Sequence, residues 1–324
     1  GDFESAADIY ESQAPASMRY SRQSAIAHAQ ILSQLGRNDD GLAIIEAIFG
    51  RQMDPAVAVL RDDLLAERSV AYDVVASPAE GMADLYHMIA GLVEEEAPTA
   101  FTLMYARTAM YLDPSNTPAV LMTAGLLEDL EQYDLANSTF SSVLREDPSF
   151  HAAELGRAEV LRSAGRNDAA IEVLEALTRS HPELPQVWAT KGDTLRQTER
   201  FDQANDAYSR ALSLYDDEST AKWFVYYTRG ITNHALDLWP SAEADFRAAL
   251  NLRPDHPQVL NYLGYSLVER GEKLDEALQM IEKAAAARPD NGAIIDSLGR
   301  VLFQCGRYED SVFHMERAES LSPV

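Results

Sequence analysis

The sequence predicts an all-helical solenoid, and three pairs of recurring residues in its last third lead to that fold class. A small residue, a second small residue and a proline each recur after 34 or 35 residues within 251–323. The pairs are Gly264 and Gly299, Ala277 and Ser311, and Pro289 and Pro323. A constant period with these residue types at fixed offsets is the signature of stacked helical repeats.

The same three columns extend back to about residue 83. Small residues in the first two columns let helix backbones approach closely, and a proline ends a helix because it lacks the amide donor. The first column holds Ala90, Ala124, Ala158, Gly192, Gly230, Gly264 and Gly299. The second holds Thr102, Ala136, Ala170, Ala204, Ala242, Ala277 and Ser311. The third holds Pro114, Pro148, Pro182, Pro254, Pro289 and Pro323, with Asp216 in place of one proline. One interval of the first column is longer, which predicts an inserted exposed loop near 216–222.

These columns resemble the tetratricopeptide repeat (TPR) family, whose unit is a pair of antiparallel helices, A and B. The resemblance covers most of residues 83–323. It implies an all-α, right-handed superhelical solenoid of antiparallel helix pairs, with seven regular repeats in 83–324. The stretches 262–267 and 296–299 look like large bacterial TPR proteins, many of them exported. That similarity favours the periplasm, and the cytoplasm is the alternative.

Residues 1–82 predict an N-terminal helical region of one and a half divergent repeats, continuous with the regular array. Phe3, Ala6 and Tyr10 have the spacing of a helix B whose own helix A is missing, and a full repeat follows at about 22–55. A start in mid-repeat indicates a segment of a longer protein. So does an array that reaches its last proline without a polar capping helix.

The junction between these two regions is irregular. Residues 56–76 are helical in composition but lack the repeat offsets, so they predict one longer irregular helix that ends at 77–78. The first regular repeat carries three consecutive glutamates at 94–96, followed by Pro98. Its helix A is therefore expected to end early.

Charge and cysteine content exclude several classes of function. The chain has 27 basic and 52 acidic residues, a net charge of −25. That field repels phosphate backbones, which argues against nucleic-acid binding, and it attracts basic partners. The single cysteine, Cys305, excludes an internal disulfide or a multi-cysteine metal site. No apolar run approaches the roughly 18 residues that a membrane span needs.

Motifs of catalysis are missing from the sequence. It contains no His-Glu-x-x-His, no Gly-x-Ser-x-Gly and no phosphate-binding glycine loop, and its seven histidines are scattered. We therefore predict no enzyme activity, no cofactor and no metal.

The resemblance implies a binding groove instead. In TPR proteins the concave surface is lined by helix A positions 5, 9 and 12, which form one stripe at helical spacing. In the first full repeat these positions hold Ile26, Gln30 and Ser33. The candidate groove residues nearer the C-terminus are Glu159, Arg162, Asp193, Arg196, Tyr227, Asn261, Tyr265, Asp296 and Arg300. No lysine stands at position 5 of any repeat, which argues against the class that clamps the C-terminal carboxylate of chaperones.

Structural alternatives stay open for these candidates. Glu159 with Arg162, and Asp193 with Arg196, also fit simple ion pairs within a helix, and the tyrosines also fit packing between repeats. The sequence predicts a non-catalytic scaffold or adaptor that binds a peptide or protein segment, basic or apolar, in its groove. The alternatives are a docking or regulatory segment of a larger multidomain protein, and a self-associating assembly module.

Overall fold

A computed structural model describes residues 2–12, 22–50, 55–75, 77–216 and 219–321. Within these ranges every regular element is an α-helix, so the predicted all-α class is confirmed. The predictions that rest on Gly1, on Pro323 and on part of the inserted loop lie outside the described residues. No helix in the described ranges combines the length and the apolar character needed to cross a lipid bilayer.

The described helices group into two compact units, Gly1–Leu130 and Glu131–Val324. The regularity of the repeats predicts a boundary after residue 82 between a divergent and a regular region, and this boundary stays a prediction. The first unit contains α1 (Phe3–Ser12), α2 (Arg22–Gln34), α3 (Asn38–Phe49), α4 (Pro55–Leu65), α5 (Pro78–Val93), α6 (Thr99–Leu112) and α7 (Thr117–Asp129).

The second unit is a series of helical hairpins that begins with a short helix. Each helix A in it packs on the helix B that follows. Its helices are α8 (Tyr133–Phe140), α9 (Phe150–Ser163), α10 (Asn167–Ser180), α11 (Pro185–Gln197), α12 (Phe201–Leu214), α13 (Lys222–Ala235), α14 (Trp239–Leu252), α15 (Pro257–Glu269), α16 (Leu274–Ala287), α17 (Gly292–Gln304) and α18 (Tyr308–Leu321).

The small residues of the first column are buried where paired helices cross. A β-carbon on Gly192 would lie 2.6 Å from the ring of Tyr208, and one on Gly230 would lie 2.7 Å from the ring of Phe246. Both rings are fully buried. Glycine at these positions therefore makes room for an aromatic side chain of the partner helix.

The proline column marks helix ends, with one exception. Pro114, Pro182, Pro254 and Pro289 each follow two residues after the last residue of a helix. In contrast, α8 ends at Phe140, eight residues before Pro148, so Pro148 does not close that helix as predicted. The hydroxyls of Thr139 and Ser141 donate to the carbonyls four residues earlier, at 2.8 and 2.7 Å. The same bond occurs inside continuous helices, at Thr194 and Thr228. What distinguishes the end of α8 is a cluster of four hydroxyl residues within 138–142, which lowers the helix propensity there.

The single irregular helix predicted for 56–76 is wrong. Helix α4 ends at Leu65, Glu67 adopts the left-handed conformation with φ of 54°, and residues 69–75 form no helix. Their backbone is held by side chains of α2, which a local reading of composition does not reveal. At the next helix the prediction holds, because α5 ends at Val93, just before the three glutamates.

Candidate functional site

The nine candidate groove residues lie on the first helices of five successive hairpins in the second unit. All nine are at least partly accessible to solvent, whereas the small first-column residue of each of these helices is buried. This difference follows from helical spacing, which puts positions 5, 9 and 12 on one face. The residues are Glu159 and Arg162 on α9, Asp193 and Arg196 on α11, Tyr227 on α13, Asn261 and Tyr265 on α15, and Asp296 and Arg300 on α17.

Helices α9 and α11 are joined across the stripe by an arginine. Arg162 forms an ion pair with Glu159 on its own helix, with its Nε donating to the carboxylate at 3.1 Å. Its Nη1 donates to Oε1 of Gln197 on α11 at 2.6 Å. The intrahelical pair is therefore present, and the same guanidinium also links two repeats.

The stripe of α11 is tied to a core tyrosine. The hydroxyl of Tyr208 donates to Asp193 at 2.7 Å and accepts from Nε of Arg196 at 3.3 Å. Burial raises the pKa of the Asp193 carboxyl, against the opposing effects of Tyr208 and Arg196. Burial also raises the pKa of the Tyr208 hydroxyl, and the Asp193 charge adds to that shift. Asp193 and Arg196 are 3.9 Å apart, a looser ion pair than the one on α9.

Aromatic side chains continue the stripe on α13 and α15. The ring of Tyr227 lies 6.2 Å from that of Tyr262 in an edge-on arrangement, and both contact the buried ring of Phe246. The hydroxyl of Tyr262 lies 3.3 Å from Nδ1 of His234. Burial raises the pKa of both tyrosine hydroxyls, and the positive charge of Arg196 opposes it in each. The charged and aromatic parts of the stripe are therefore neighbours.

The next part of the stripe contains an unsatisfied amide. Oδ1 of Asn261 is buried and accepts no hydrogen bond from the residues that the structure describes. A buried polar atom without a partner is costly, so native proteins rarely leave one.

The last part of the stripe is an ion pair on α17. Nε of Arg300 donates to Asp296 at 2.7 Å. This bond raises the pKa of the Arg300 guanidinium, and the nearby Tyr265 of α15 raises it further. Tyr265 therefore belongs with the pair on α17.

The stripe is electrically balanced although the chain is strongly acidic. Each of its three carboxylates has an arginine one helical turn away, and the pairs are Glu159 with Arg162, Asp193 with Arg196, and Asp296 with Arg300. Because these charges are paired, the stripe offers a ligand mainly hydrogen-bonding groups and aromatic surface. No group of three metal-binding side chains occurs among the described residues.

Three residues of this surface escape prediction from the sequence. Gln197 and Tyr262 stand one position beyond the stripe positions and still contact stripe residues. Tyr208 lies on a helix B with its ring packed against Gly192, and its hydroxyl nevertheless reaches the stripe. A search among polar residues adjacent to the stripe could have found the first two.

Comparison with models of known protein families agrees with the helical repeats described above. Models described as tetratricopeptide repeat match residues 127–194, 185–218 and 235–292. Residues 127–218 and 235–292 of this chain are therefore tetratricopeptide repeats. A TPR repeat-containing protein of Pseudomonas aeruginosa is 27% identical to it over 133 residues. The matched part is 41% of this chain and 22% of that protein, so the chain spans about a fifth of its relative's length.

Solved structures show the same TPR fold. The crystal structure of PilW, a widely conserved type IV pilus biogenesis factor, has a TM-score of 0.56 at 18% identity. The match covers 64% of this TPR chain and 93% of PilW. A chain of the APC/C hetero-tetramer Cut9-Hcn1 has a TM-score of 0.54 at 17% identity, over 92% of this chain and 59% of that one. At this identity the likeness concerns the fold.

Proposed function

We propose that this TPR chain is a non-catalytic scaffold that binds a peptide or protein segment along the stripe on α9, α11, α13, α15 and α17. The observation that carries the proposal is the unpartnered Oδ1 of Asn261, which lies on the stripe face of α15 with Tyr265. The Asn261 side chain as a whole is partly accessible, and a change of its rotamer would bring this oxygen to the surface to accept a backbone N–H of a bound segment. Tyrosines beside it supply the stacking area that peptide recognition uses.

The ion pairs define the class of ligand further. Because each stripe carboxylate is paired with an arginine, the groove offers no unpaired row of charge to a strongly basic segment. Any attraction of the acidic chain for basic partners therefore comes from residues outside the stripe. The ligand that the stripe fits best is an uncharged segment with apolar or aromatic side chains.

The experiment is a peptide-array screen of the purified chain followed by affinity measurements on the peptides that bind. Tyr265→Ala and Asn261→Ala test the groove, and Phe313→Ala is the matched control, because that ring is 63% exposed on a helix B. We expect the tyrosine variant to bind about 30-fold more weakly, the loss typical of a central aromatic contact. Peptides that bind the groove variants and the control equally would contradict the proposal.

A second candidate, self-association, is supported by apolar side chains exposed on α17 and α18. The exposed fractions are 54% for Phe303, 59% for Tyr308 and 55% for Val312. Exposed apolar patches of this kind commonly mark protein contacts. Light scattering over a range of concentrations tests it: we expect an oligomer that Val312→Asp dissociates, whereas a monomer at every concentration would exclude it.

A further inference from the structure

The segment that replaces the predicted irregular helix lies against α2 in the first unit. We call residues 68–75 the strap. The backbone N–H of Val70 donates to Oγ of Ser33 at 2.9 Å, and the backbone N–H of Asp73 donates to Oε1 of Gln30 at 3.0 Å. Nε2 of Gln30 donates in return to the Asp73 carboxylate at 2.6 Å. Gln30 and Ser33 are the groove positions 9 and 12 of the first full repeat, so the strap occupies a groove stripe.

Further contacts hold the N-terminal end of the strap. The carbonyl of Arg68 accepts from Nδ2 of Asn38 at 3.0 Å and from the Ser33 hydroxyl at 3.4 Å. The side-chain amide of Gln34 donates to the Val70 carbonyl. The order of these contacts shows that the strap runs in the opposite direction to α2. Side-chain amides and hydroxyls that bind a backbone are the means by which a groove holds a peptide.

Alternate side chains of the strap point to different surroundings. Val70 packs on the apolar cluster that contains Ala29 and Ile45. The ring of Tyr72 lies 6.1 Å from that of Phe3, and burial raises the pKa of its hydroxyl. Ala71 and Asp73 are exposed. The strap therefore offers α2 an apolar residue, a spacer, an aromatic residue and an acidic residue in succession.

The strap lacks the properties of a core element. None of residues 66–75 is buried, and within the described chain no backbone group of 69–75 bonds to another backbone group. The α2 side chains that hydrogen-bond to the strap are polar, with Gln30 only 5% and Ser33 only 3% exposed. Water would satisfy both if the strap moved away, so the apolar surface that opening exposes is confined to the contacts of Val70 and Tyr72.

A cavity lies beside the strap, between α2 and α4. Its volume is about 740 Å³. Its walls include Ile26 and Gln30 of α2, Val59 and Leu60 of α4, and Val70 and Asp73 of the strap. A second chain therefore has room to approach the same face.

We propose that the face of α2 around Gln30 and Ser33 is a peptide-binding site that the strap occupies as an internal ligand. A partner segment with the pattern apolar–any–aromatic–acidic binds there by displacing the strap. The site belongs to the first unit, and it is independent of the groove proposed on α9 to α17.

The test uses a fluorescein-labelled synthetic peptide that copies residues 67–75, with a scrambled peptide as its control. Val70→Pro combined with Tyr72→Ser releases the strap, because it removes the amide donor of residue 70, the packed valine side chain and the tyrosine ring. Ala71→Ser, at an exposed strap residue, is the matched control variant. We expect the released variant to bind the peptide at least about tenfold more tightly than the wild type and the control, since occupancy by the strap lowers the competent fraction. Adding Gln30→Ala to the released variant should abolish the gain.

Three results would overturn the proposal. The first is that the released variant, shown to be folded by circular dichroism, binds the peptide no more tightly than the wild type. The second is that it binds the scrambled peptide equally well. The third is that it dimerises and does not bind the peptide, which would assign the face to a second copy of the chain.

If the released variant does not fold, hydrogen exchange on the wild type tests whether the strap can be displaced. A displaceable strap exchanges the amides of Val70 and Asp73 at least about tenfold faster than the central amides of α2, through local opening. Equal protection of strap and helix would show a permanent element and overturn the proposal.

Discussion

The hydroxyl of Tyr208 donates a 2.7 Å hydrogen bond to the carboxylate of Asp193, and so connects the centre of one hairpin to the groove stripe. The side chain of Tyr208 is fully buried against Gly192, and its hydroxyl also accepts a hydrogen bond from Arg196 of the stripe. The packing of the Tyr208 ring on Gly192 thus fixes the position of the hydroxyl that Asp193 binds. The first two predictions concern this relationship.

The first prediction concerns the charge of Asp193. Burial raises its carboxyl pKa above the ordinary value of 3.8. A raised carboxyl pKa means that stability is lost as the pH rises through the folded-state pKa, because the folded protein must then hold a desolvated charge. Asp193→Asn removes that cost and is expected to raise the melting temperature at pH 7. The gain should disappear below pH 3.8, where both side chains are neutral.

Asp255→Asn is the control for this measurement, since that carboxylate is 68% exposed. Its melting temperature should follow that of the wild type at both pH values. A destabilised Asp193→Asn at pH 7 would mean that the contacts with Arg196 and Tyr208 outweigh the cost of burial.

The second prediction separates two kinds of glycine. Gly192→Ala places a methyl group 2.6 Å from the Tyr208 ring, and overpacking of this kind costs about 1–3 kcal/mol. Gly125 lies inside α7 with no atom within 4 Å of its added β-carbon. Gly125→Ala should therefore stabilise the chain by about 0.5–1 kcal/mol through helix propensity. Urea unfolding measures both, and equal effects would contradict the packing argument.

The third prediction concerns a buried ion pair between α13 and α14. Arg229 donates twice to Asp245, at 2.9 and 2.6 Å, and Nδ2 of Asn233 donates to the same carboxylate at 2.9 Å. The Asp245 side chain is only 6% exposed. Asp245→Ala leaves these donors without their acceptor, and we expect a loss of roughly 3 kcal/mol in the free energy of unfolding.

The exposed pair of Lys283 and Asp255 is the comparison for this loss. Asp255 has a φ of 59°, a conformation that asparagine tolerates, so Asp255→Asn removes the charge without new strain. Its cost should be below about 1 kcal/mol, as for other surface pairs. Denaturant unfolding that showed equal losses for the two variants would refute a special role of Asp245.

The fourth prediction follows from the paired charges of the groove. Because every stripe carboxylate has its own arginine, long-range attraction contributes little to binding there. We expect the affinity of a groove peptide found in the array screen to change by about twofold or less when sodium chloride is raised well above 0.1 M, where the Debye length is about 10 Å. A steep salt dependence, measured by fluorescence anisotropy, would indicate recognition through charge.

Predictions from sequence succeed where a feature depends on neighbouring residues. Ala204 and Ala242 stand in a column that demands small side chains at a helix crossing, and both are fully buried. Proline two residues past Leu252 or Ala287 ends a helix through its own missing amide. Helical spacing alone also puts positions 5, 9 and 12 of each helix A on one face. That this face on α9 to α17 binds a partner stays a prediction.

The sequence by itself determined the all-α class, the period, the helix boundaries set by proline and the small residues at helix crossings. Those features depend on contacts within a hairpin or between adjacent repeats. Only the tertiary structure decided that residues 69–75 leave the helix to bind Gln30 and Ser33. It also decided that the Tyr208 hydroxyl reaches Asp193. The physical reason is that these choices depend on partners distant in the chain, whose positions exist only once the repeats have packed.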